Sequence, residues 1–312
     1  MSPDIIEMAA RIRALGDQIV PEAIEGTAKL YGPHHEREPY QGVTVTRDHA
    51  YGADARHLLD VFEPQTAGAA RPVLMFVHGG GFVAGDKHRP GTPYQDNVAL
   101  WAVRHGMVGV NMTYRLAPQH PWPAGAMDVG AAVAWVRAHI GRHGGDPDRI
   151  ILMGTSAGAA HAGAYAVNHR FHADGDSGLA GLVLLSGLYD MVTAPGNELK
   201  AAYFGDDEAN YVAGSTLTGL AKTRIPLLLV LTEMDPPEFQ RQTLVLLEHY
   251  LKRQGRLPYF VHMNGHNHLS STMHLNTADT YLGERILDFI ALHESEPQIH
   301  VAEHARDPGV DG

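Results

Sequence analysis

Apolar residues recur along this chain in two alternating rhythms. Runs such as Val73-Leu74-Met75-Phe76-Val77, Ile150-Ile151-Leu152-Met153 and Leu227-Leu228-Leu229-Val230-Leu231 are continuously apolar and lie between polar, glycine or proline residues. That is the pattern of short strands buried on both faces. Strands are predicted on this basis at 43–47, 57–62, 73–77, 107–112, 150–153, 182–185, 227–231 and 259–263. Between them, helical spacing predicts helices at 97–105, 126–143, 157–171, 238–254 and 279–293. Strands that alternate with helices imply a mostly parallel sheet covered on both faces, with its active loops at the strand C-termini.

Two stretches break the alternation. Near the N-terminus Ile5, Met8, Ala9, Ile12 and Leu15 have helical spacing, and Pro21 opens a second segment. Residues 187–223, between two predicted core strands, contain Tyr189, Tyr203, Phe204 and Tyr211. Both stretches, about 1–40 and 187–223, are expected to form a small helical cap over the site, because long connections in compact domains are usually functional. With 312 residues and 44% hydrophobic content, one large domain over 1–293 is expected. Residues 294–312, with five acids against Arg306 and with Pro297 and Pro308, read as a mobile tail.

Candidate chemistry sits at the predicted strand ends. Gly154-Thr155-Ser156-Ala157-Gly158 follows an apolar strand and precedes a small-residue helix, the context in which a G-x-S-x-G turn presents its serine as a nucleophile. Upstream, the strand ending at Val77 runs into His78-Gly79-Gly80-Gly81-Phe82. Glycines there bring backbone N–H groups close to a substrate oxygen, where preorganised donors contribute on the order of 3 kcal/mol each. No phosphate-binding G-x-x-x-x-G-K-[ST] follows. A serine hydroxyl needs a base, and the base an orienting acid. The loop after Leu231 offers Glu233 and Asp235, and the loop after Met263 offers His266 and His268. The order Ser156, Asp235, His268 is that of the α/β-hydrolases.

His78-Gly79-Gly80-Gly81-Phe82, Tyr114-Arg115-Leu116-Ala117-Pro118 with Pro121-Trp122-Pro123-Ala124, and Gly154-Thr155-Ser156-Ala157-Gly158 together resemble the hormone-sensitive-lipase-like carboxylesterases, over the span from about Val43 to Phe289. The resemblance implies an α/β-hydrolase fold, a mostly parallel eight-stranded sheet with helices on both faces and a cap. It implies a triad of Ser156, Asp235 and His268, and oxyanion donors at Gly80, Gly81 and Ala157 with Gly79 alongside. Asp235-Pro236 matches the family acid where Glu233 does not, and Leu269 after His268 matches the family base where Asn267 after His266 does not. The implied activity is two-step acyl transfer from small to medium carboxylic esters, with no cofactor and no metal. Phe82, Trp122, Tyr189, Tyr203, Phe204 and Tyr211 are the expected substrate-binding residues. The sequence also departs from that family. Phe239 stands where members commonly carry a second Asp, while Leu59-Asp60-Val61-Phe62 and Gly85-Asp86-Lys87 look more like the arylformamidase and feruloyl-esterase-like branch. An arylformamidase or amidase is therefore the alternative enzyme, and a non-catalytic ligand-binding protein on the same fold is the rival from another class.

Composition narrows the partners. A net charge of −11 argues against nucleic acid or an anionic membrane. The absence of cysteine removes disulfides and thiol chemistry. No basic segment followed by an apolar core opens the chain, so a cytoplasmic location is expected. A small-molecule ester is the expected partner, and a homodimer is allowed. The 21 histidines raise a metal reading, but His266-x-His268 lacks a matching acid and histidine cluster in the sequence around it. His34, His35, His161, His300 and His304 read as surface or helix histidines without a role, and His78 as orienting the glycine loop. Tyr114 and Arg115 are expected to hold that loop, and Asp128 to cap or brace the next helix.

Overall fold

The structure, a computed structural model, describes residues 3–66, 68–173 and 175–294. Its strands are β1 (Val43–Ala50), β2 (Leu58–Pro64), β3 (Arg71–Val77), β4 (Val108–Met112), β5 (Gly145–Thr155), β6 (Leu179–Leu185), β7 (Leu227–Met234) and β8 (Tyr259–Asn267). The longer helices are α1 (Pro3–Ala14), α2 (Pro21–Tyr31), α3 (Asp96–Arg104), α4 (Ala124–His139), α5 (Ala157–Val167), α9 (Pro237–Gln254) and α11 (Tyr281–Glu294). Short helices α6 (Glu198–Phe204), α7 (Glu208–Gly214), α8 (Leu217–Lys222) and α10 (Ser270–Met273) complete the set.

The strands form one sheet in the order β1-β2-β4-β3-β5-β6-β7-β8. Among the described residues only the β1–β2 and β2–β4 pairs are antiparallel. Side chains of a strand alternate between faces, which explains why β3 is apolar from Val73 to Val77. Val73, Met75 and Val77 pack with residues of α4, α5, α8 and α9 on one face. Leu74 and Phe76 join Trp101 of α3 and Ile286 and Phe289 of α11 on the other. Each fully buried side chain of this size contributes about 1.5–3 kcal/mol. The connection through α3 leads from β3 to β4 on one side, while α5 leads from β5 to β6 on the other. Adjacent β3 and β5 thus flank a topological switch point, where a crevice opens at the strand C-termini.

Register brings the strand ends level. Val77 pairs with Gly154, Thr155 with Leu185, Leu185 with Val230, and Met234 with Asn267. The loops that follow therefore emerge along one edge of the sheet.

Several sequence expectations need correction. Residues 264–267 were expected to be loop, and 232–234 likewise, yet β8 runs to Asn267 and β7 to Met234. A register shift between Thr232 and Met234 lets the pair continue past Gly265, whose φ is +83°. Asp128 caps nothing: α4 begins at Ala124, so Asp128 lies within the helix and is buried. The insertion 187–223 divides in two. Leu220 of α8 packs in the sheet-side core, whereas Tyr203 and Phe204 of α6 pack with Phe82, Trp122 and Ala157 around the glycine loop. In the N-terminal segment, Ile12 and Tyr31 pack with Tyr94 and Met273, against Met234 and Leu269. Glu294 closes α11; the rest of the expected tail, with His300 and His304, lies outside the described residues. Among the described residues no helix is long and apolar enough to cross a membrane.

Candidate active site

Ser156 stands between β5 and α5 with φ 56° and ψ −122°, a conformation costly for a residue with a side chain and typical of functional turns. The flanking glycines are required by contact. A Cβ at Gly154 would lie 2.4 Å from the Gly158 carbonyl oxygen, and one at Gly158 would lie 2.2 Å from that of Val77. Ser156 also donates its N–H to the Leu185 carbonyl at 2.9 Å, which fixes the turn against β6. Ala157 opens α5, so helix geometry leaves its N–H free to point outward.

The glycine loop lies directly against this turn. A Cβ on Gly79 would be 3.2 Å from Ser156 Cβ, and one on Gly80, where φ is 129°, would be 2.0 Å from the Ala84 carbonyl oxygen. The loop is held from behind. His78 Nδ1 is 2.6 Å from the Gly79 carbonyl oxygen, and Tyr114 stacks on the His78 ring at 4.3 Å while its hydroxyl donates to the His78 carbonyl at 2.9 Å. Burial pushes the His78 imidazole down to about 4, so at neutral pH the ring is an uncharged brace. Arg56 donates to the carbonyls of Gly85 and Tyr114 at 2.9 and 2.7 Å. Arg115 reaches Asp128 through its backbone N–H at 2.8 Å and its guanidinium at 2.7 Å, and His57 Nε2 is 3.1 Å from the same carboxylate.

His268 Nδ1 is 2.6 Å from Asp235 Oδ1. The other carboxylate oxygen, Oδ2, accepts from Ser186 Oγ at 2.6 Å and from the Thr232 N–H at 2.7 Å. Burial pushes the fully enclosed Asp235 carboxyl up, but hydrogen bonds from His268, Ser186 and Thr232 more than offset this and hold it below the usual carboxylate value. His268 Nε2 is buried and has no hydrogen-bond partner among the described residues. Ser271 Oγ donates to the His268 carbonyl at 2.7 Å. From the serine turn, one strand pairing leads to Leu185, the next residue is Ser186, and Ser186 leads through Asp235 to His268.

The two alternatives left open by sequence sit elsewhere. His266 Nε2 is 3.2 Å from Asp279 Oδ2 and its Nδ1 is 3.2 Å from Ser270 Oγ. Glu233 takes two hydrogen bonds from Arg13 of α1, at 3.0 and 2.8 Å, and one from the Gly265 N–H at 2.6 Å.

The six expected substrate-binding aromatics are largely occupied with one another. Phe82 stacks on Tyr203 at 4.7 Å with an interplanar angle of 2°, and Trp122 on Phe204 at 5.7 Å. Tyr211 meets Phe204 at 5.3 Å. Trp122 donates its backbone N–H to the Tyr203 carbonyl at 2.7 Å. Tyr189 lies apart, in the sheet-side core, with its N–H on Gln242 Oε1 at 2.9 Å. His161, read from sequence as a helix or surface residue, is fully buried in this region. Its ring lies 4.5 Å from that of Tyr114 and 5.3 Å from that of Phe82.

Two residues from the departures noted in sequence, Asp60 and Lys87, meet in an ion cluster behind the loop. Lys87 Nζ bridges Asp48 and the wholly buried Asp60 at 2.7 and 2.9 Å, and Arg47 joins Asp60 to Asp96 at 2.8 and 2.6 Å. Asp60 and Lys87 are thus partners in packing the loop's support. Sequence reading missed Ser186, although it follows an apolar strand as Ser156 does and could have been found by the same rule. A hollow of about 440 Å³ between α4 and the segment after α5, lined by Val133, Arg137, Asp148 and Tyr165, includes none of the triad candidates.

Fold and site together define a hydrolase architecture, and this chain belongs to the alpha/beta hydrolase fold family, whose family model matches residues 74–252. It is similar to the esterase LipC of Mycobacterium tuberculosis, with 31% identity over 210 residues, covering 61% of this chain and 51% of that protein. It is also 41% identical over 99 residues to the carboxylesterase NlhH of the same species, covering 31% of this chain and 30% of that protein. The chain thus spans about half or less of these curated relatives. Among solved structures, a phosphonate-inhibited esterase B from Lactobacillus rhamnosis aligns with a TM-score of 0.71 at 20% identity, over 93% of this chain and 96% of that one. A truncated carbohydrate esterase from gut microbiota aligns at 0.70 and 18%, over 81% and 97%. These last two are likenesses of fold.

Proposed function

We propose that the protein is a carboxylic-ester hydrolase working through an acyl-enzyme on Ser156. His268 Nε2 takes the serine proton as Oγ attacks the ester carbonyl, and Asp235 fixes the imidazole tautomer and stabilises its cation. The N–H groups of Gly79, Gly80, Gly81 and Ala157 receive the oxyanion. His268 returns the proton to the departing alcohol, and water repeats the cycle to release the acid. The observation that carries this reading is the 2.6 Å bond from His268 Nδ1 to Asp235, which leaves Nε2 of the same ring without a protein partner. The kinship with proteins named esterase and carboxylesterase supports it. The substrates are small to medium neutral esters, handled in the cytoplasm without nucleic acid or metal, and the reading allows a homodimer. Phe82, Trp122, Tyr203, Phe204 and Tyr211 act mainly by bracing the glycine loop and cap around the bound ester.

A fluorophosphonate should label Ser156, and Ser156→Ala should lose on the order of 10⁶-fold in turnover while remaining folded. Among 4-nitrophenyl esters from acetate to palmitate, kcat/KM should peak at short chains. Most of the activity surviving in Ser156→Ala, or N-formylkynurenine turned over in place of every ester, would overturn the reading.

A further inference from the structure

Large apolar side chains beside a reactive centre are informative when they are held in place and left uncovered. Two here meet both conditions. Leu199, on the first turn of α6, is 46% exposed. A Cβ added to Gly81 would lie 2.7 Å from its Cδ1, so the leucine hangs directly over the glycine loop. Phe239, on the first turn of α9, is partly exposed, and its ring centre lies 4.5 Å from that of His268, tilted by 44°. One side chain therefore flanks the oxyanion donors and the other flanks the base.

Both are fixed from outside the site. Asn197 Oδ1 accepts the Lys200 N–H at 2.8 Å to start α6. Lys200 Nζ reaches the Met191 carbonyl at 3.1 Å and that of Ala194, with the Tyr211 ring 5.0 Å away. From α9, Arg241 donates to the Thr193 carbonyl at 3.1 Å and Gln242 to that of Asp190 at 3.0 Å. The segment 190–200 and the start of α9 thus form one braced rim. The cations on that rim are turned to other partners, Arg241 to Glu238 at 2.7 Å and Lys200 to carbonyls. The rim side chains nearest Gly81 and His268 are the hydrocarbon of Leu199 and the ring of Phe239.

We infer that Leu199 and Phe239 are the specificity-determining walls of the site, selecting uncharged esters by the hydrocarbon on either side of the ester bond. This rests on the ester-hydrolase reading and deepens it: the selecting residues are these two half-open side chains, neither of them part of the buried aromatic cluster. Each wall offers a limited surface, so selectivity rises with chain length until the wall is covered and then falls.

The test uses two ester series with the full chain, 4-nitrophenyl acetate to octanoate for the acyl side and methyl to hexyl butyrate for the alcohol side. Leu199→Ala and Phe239→Ala should each lower the long-to-short ratio of kcat/KM on one series by on the order of tenfold, the factor for losing contact with about two methylenes. Leu199→Trp should depress the longest member of the Leu199-dependent series. Val212→Ala, another exposed apolar position on the cap at 64% exposure, should leave both ratios unchanged. Calorimetry of the same 4-nitrophenyl esters binding to Ser156→Ala, with and without each wall substitution, reads the walls without turnover. Ratios within about twofold of the parent in both wall variants, in turnover and in binding, would overturn the inference. Chain-length-dependent binding that responds to the walls in a protein that hydrolyses no ester would overturn the catalytic reading and uphold the walls.

Discussion

Ser186 links Asp235 to the sheet. Its φ of 46° is strained for a residue with a side chain, and its hydroxyl donates at 2.6 Å to the Asp235 oxygen that His268 does not use. A hydrogen bond to a charged group contributes about 1.5–3 kcal/mol. Ser186→Ala should lower kcat by roughly 10- to 100-fold with little change in KM, since the imidazole loses orientation while substrate contacts stay in place. Ser186→Gly separates this from stability, because it removes the same hydroxyl but relieves the backbone strain. Its melting temperature should match or exceed that of the alanine variant, while its kcat stays equally low. A glycine variant with parental kcat would remove the positioning role from Ser186. The places of Ser156 and Asp235, each directly past a buried strand, were legible in the sequence. Ser186 obeys the same rule and was missed because a serine after an apolar run has no motif to mark it.

Between elements, the decisive feature is how far β7 and β8 extend. Asn264-Gly265 has turn chemistry, yet the strand passes through it because the shift between Thr232 and Met234 absorbs the glycine's positive φ. Sequence periodicity locates a strand by its apolar centre and says little about polar ends that a neighbour keeps paired. Eight strands were therefore found with five of their C-termini too short, those of β1, β2, β5, β7 and β8. Glu233 is the side chain that reports this extension, accepting from Gly265 N–H and from Arg13. Removing Arg13 leaves Glu233 on Gly265, whereas removing Glu233 leaves the buried Gly265 N–H without its acceptor. Glu233→Ala should therefore reduce kcat several-fold and speed amide exchange at Gly265 and along the strand end before His268, about the loss expected for one backbone donor left without its acceptor. Arg13→Ala should stay close to the parent in both, because half-exposed ion pairs contribute little. Equal losses in the two variants would mean that Glu233 serves α1 alone.

At the scale of the whole molecule, three histidines are enclosed as neutral rings. Burial pushes His78 down to about 4 and His161 and His274 to about 3, against about 6.5 in an unfolded chain. Across that interval the unfolded chain binds protons that the folded one refuses, so stability is full above about pH 6.5 and falls as the pH drops toward 4 and then 3. Each ring costs on the order of 2 kcal/mol at about pH 5. The urea midpoint should fall steeply between about pH 7 and about pH 4.5, and His161→Phe should flatten that slope. A midpoint constant over this range would refute the enclosed-ring account. The sequence could count histidines but could not say which of them the aromatic packing would enclose. That packing has a further bearing on redesign. Because Tyr203 lies flat on Phe82 while its carbonyl and hydroxyl receive the backbone N–H groups of Trp122 and Gly125, α6 and the glycine loop form one joint. A recombinant that brings in a foreign α6 without the matching Phe82 and Pro-Trp-Pro turn mixes two incompatible halves of one joint. Any redesign of α6 is thereby tied, position by position, to the glycine loop.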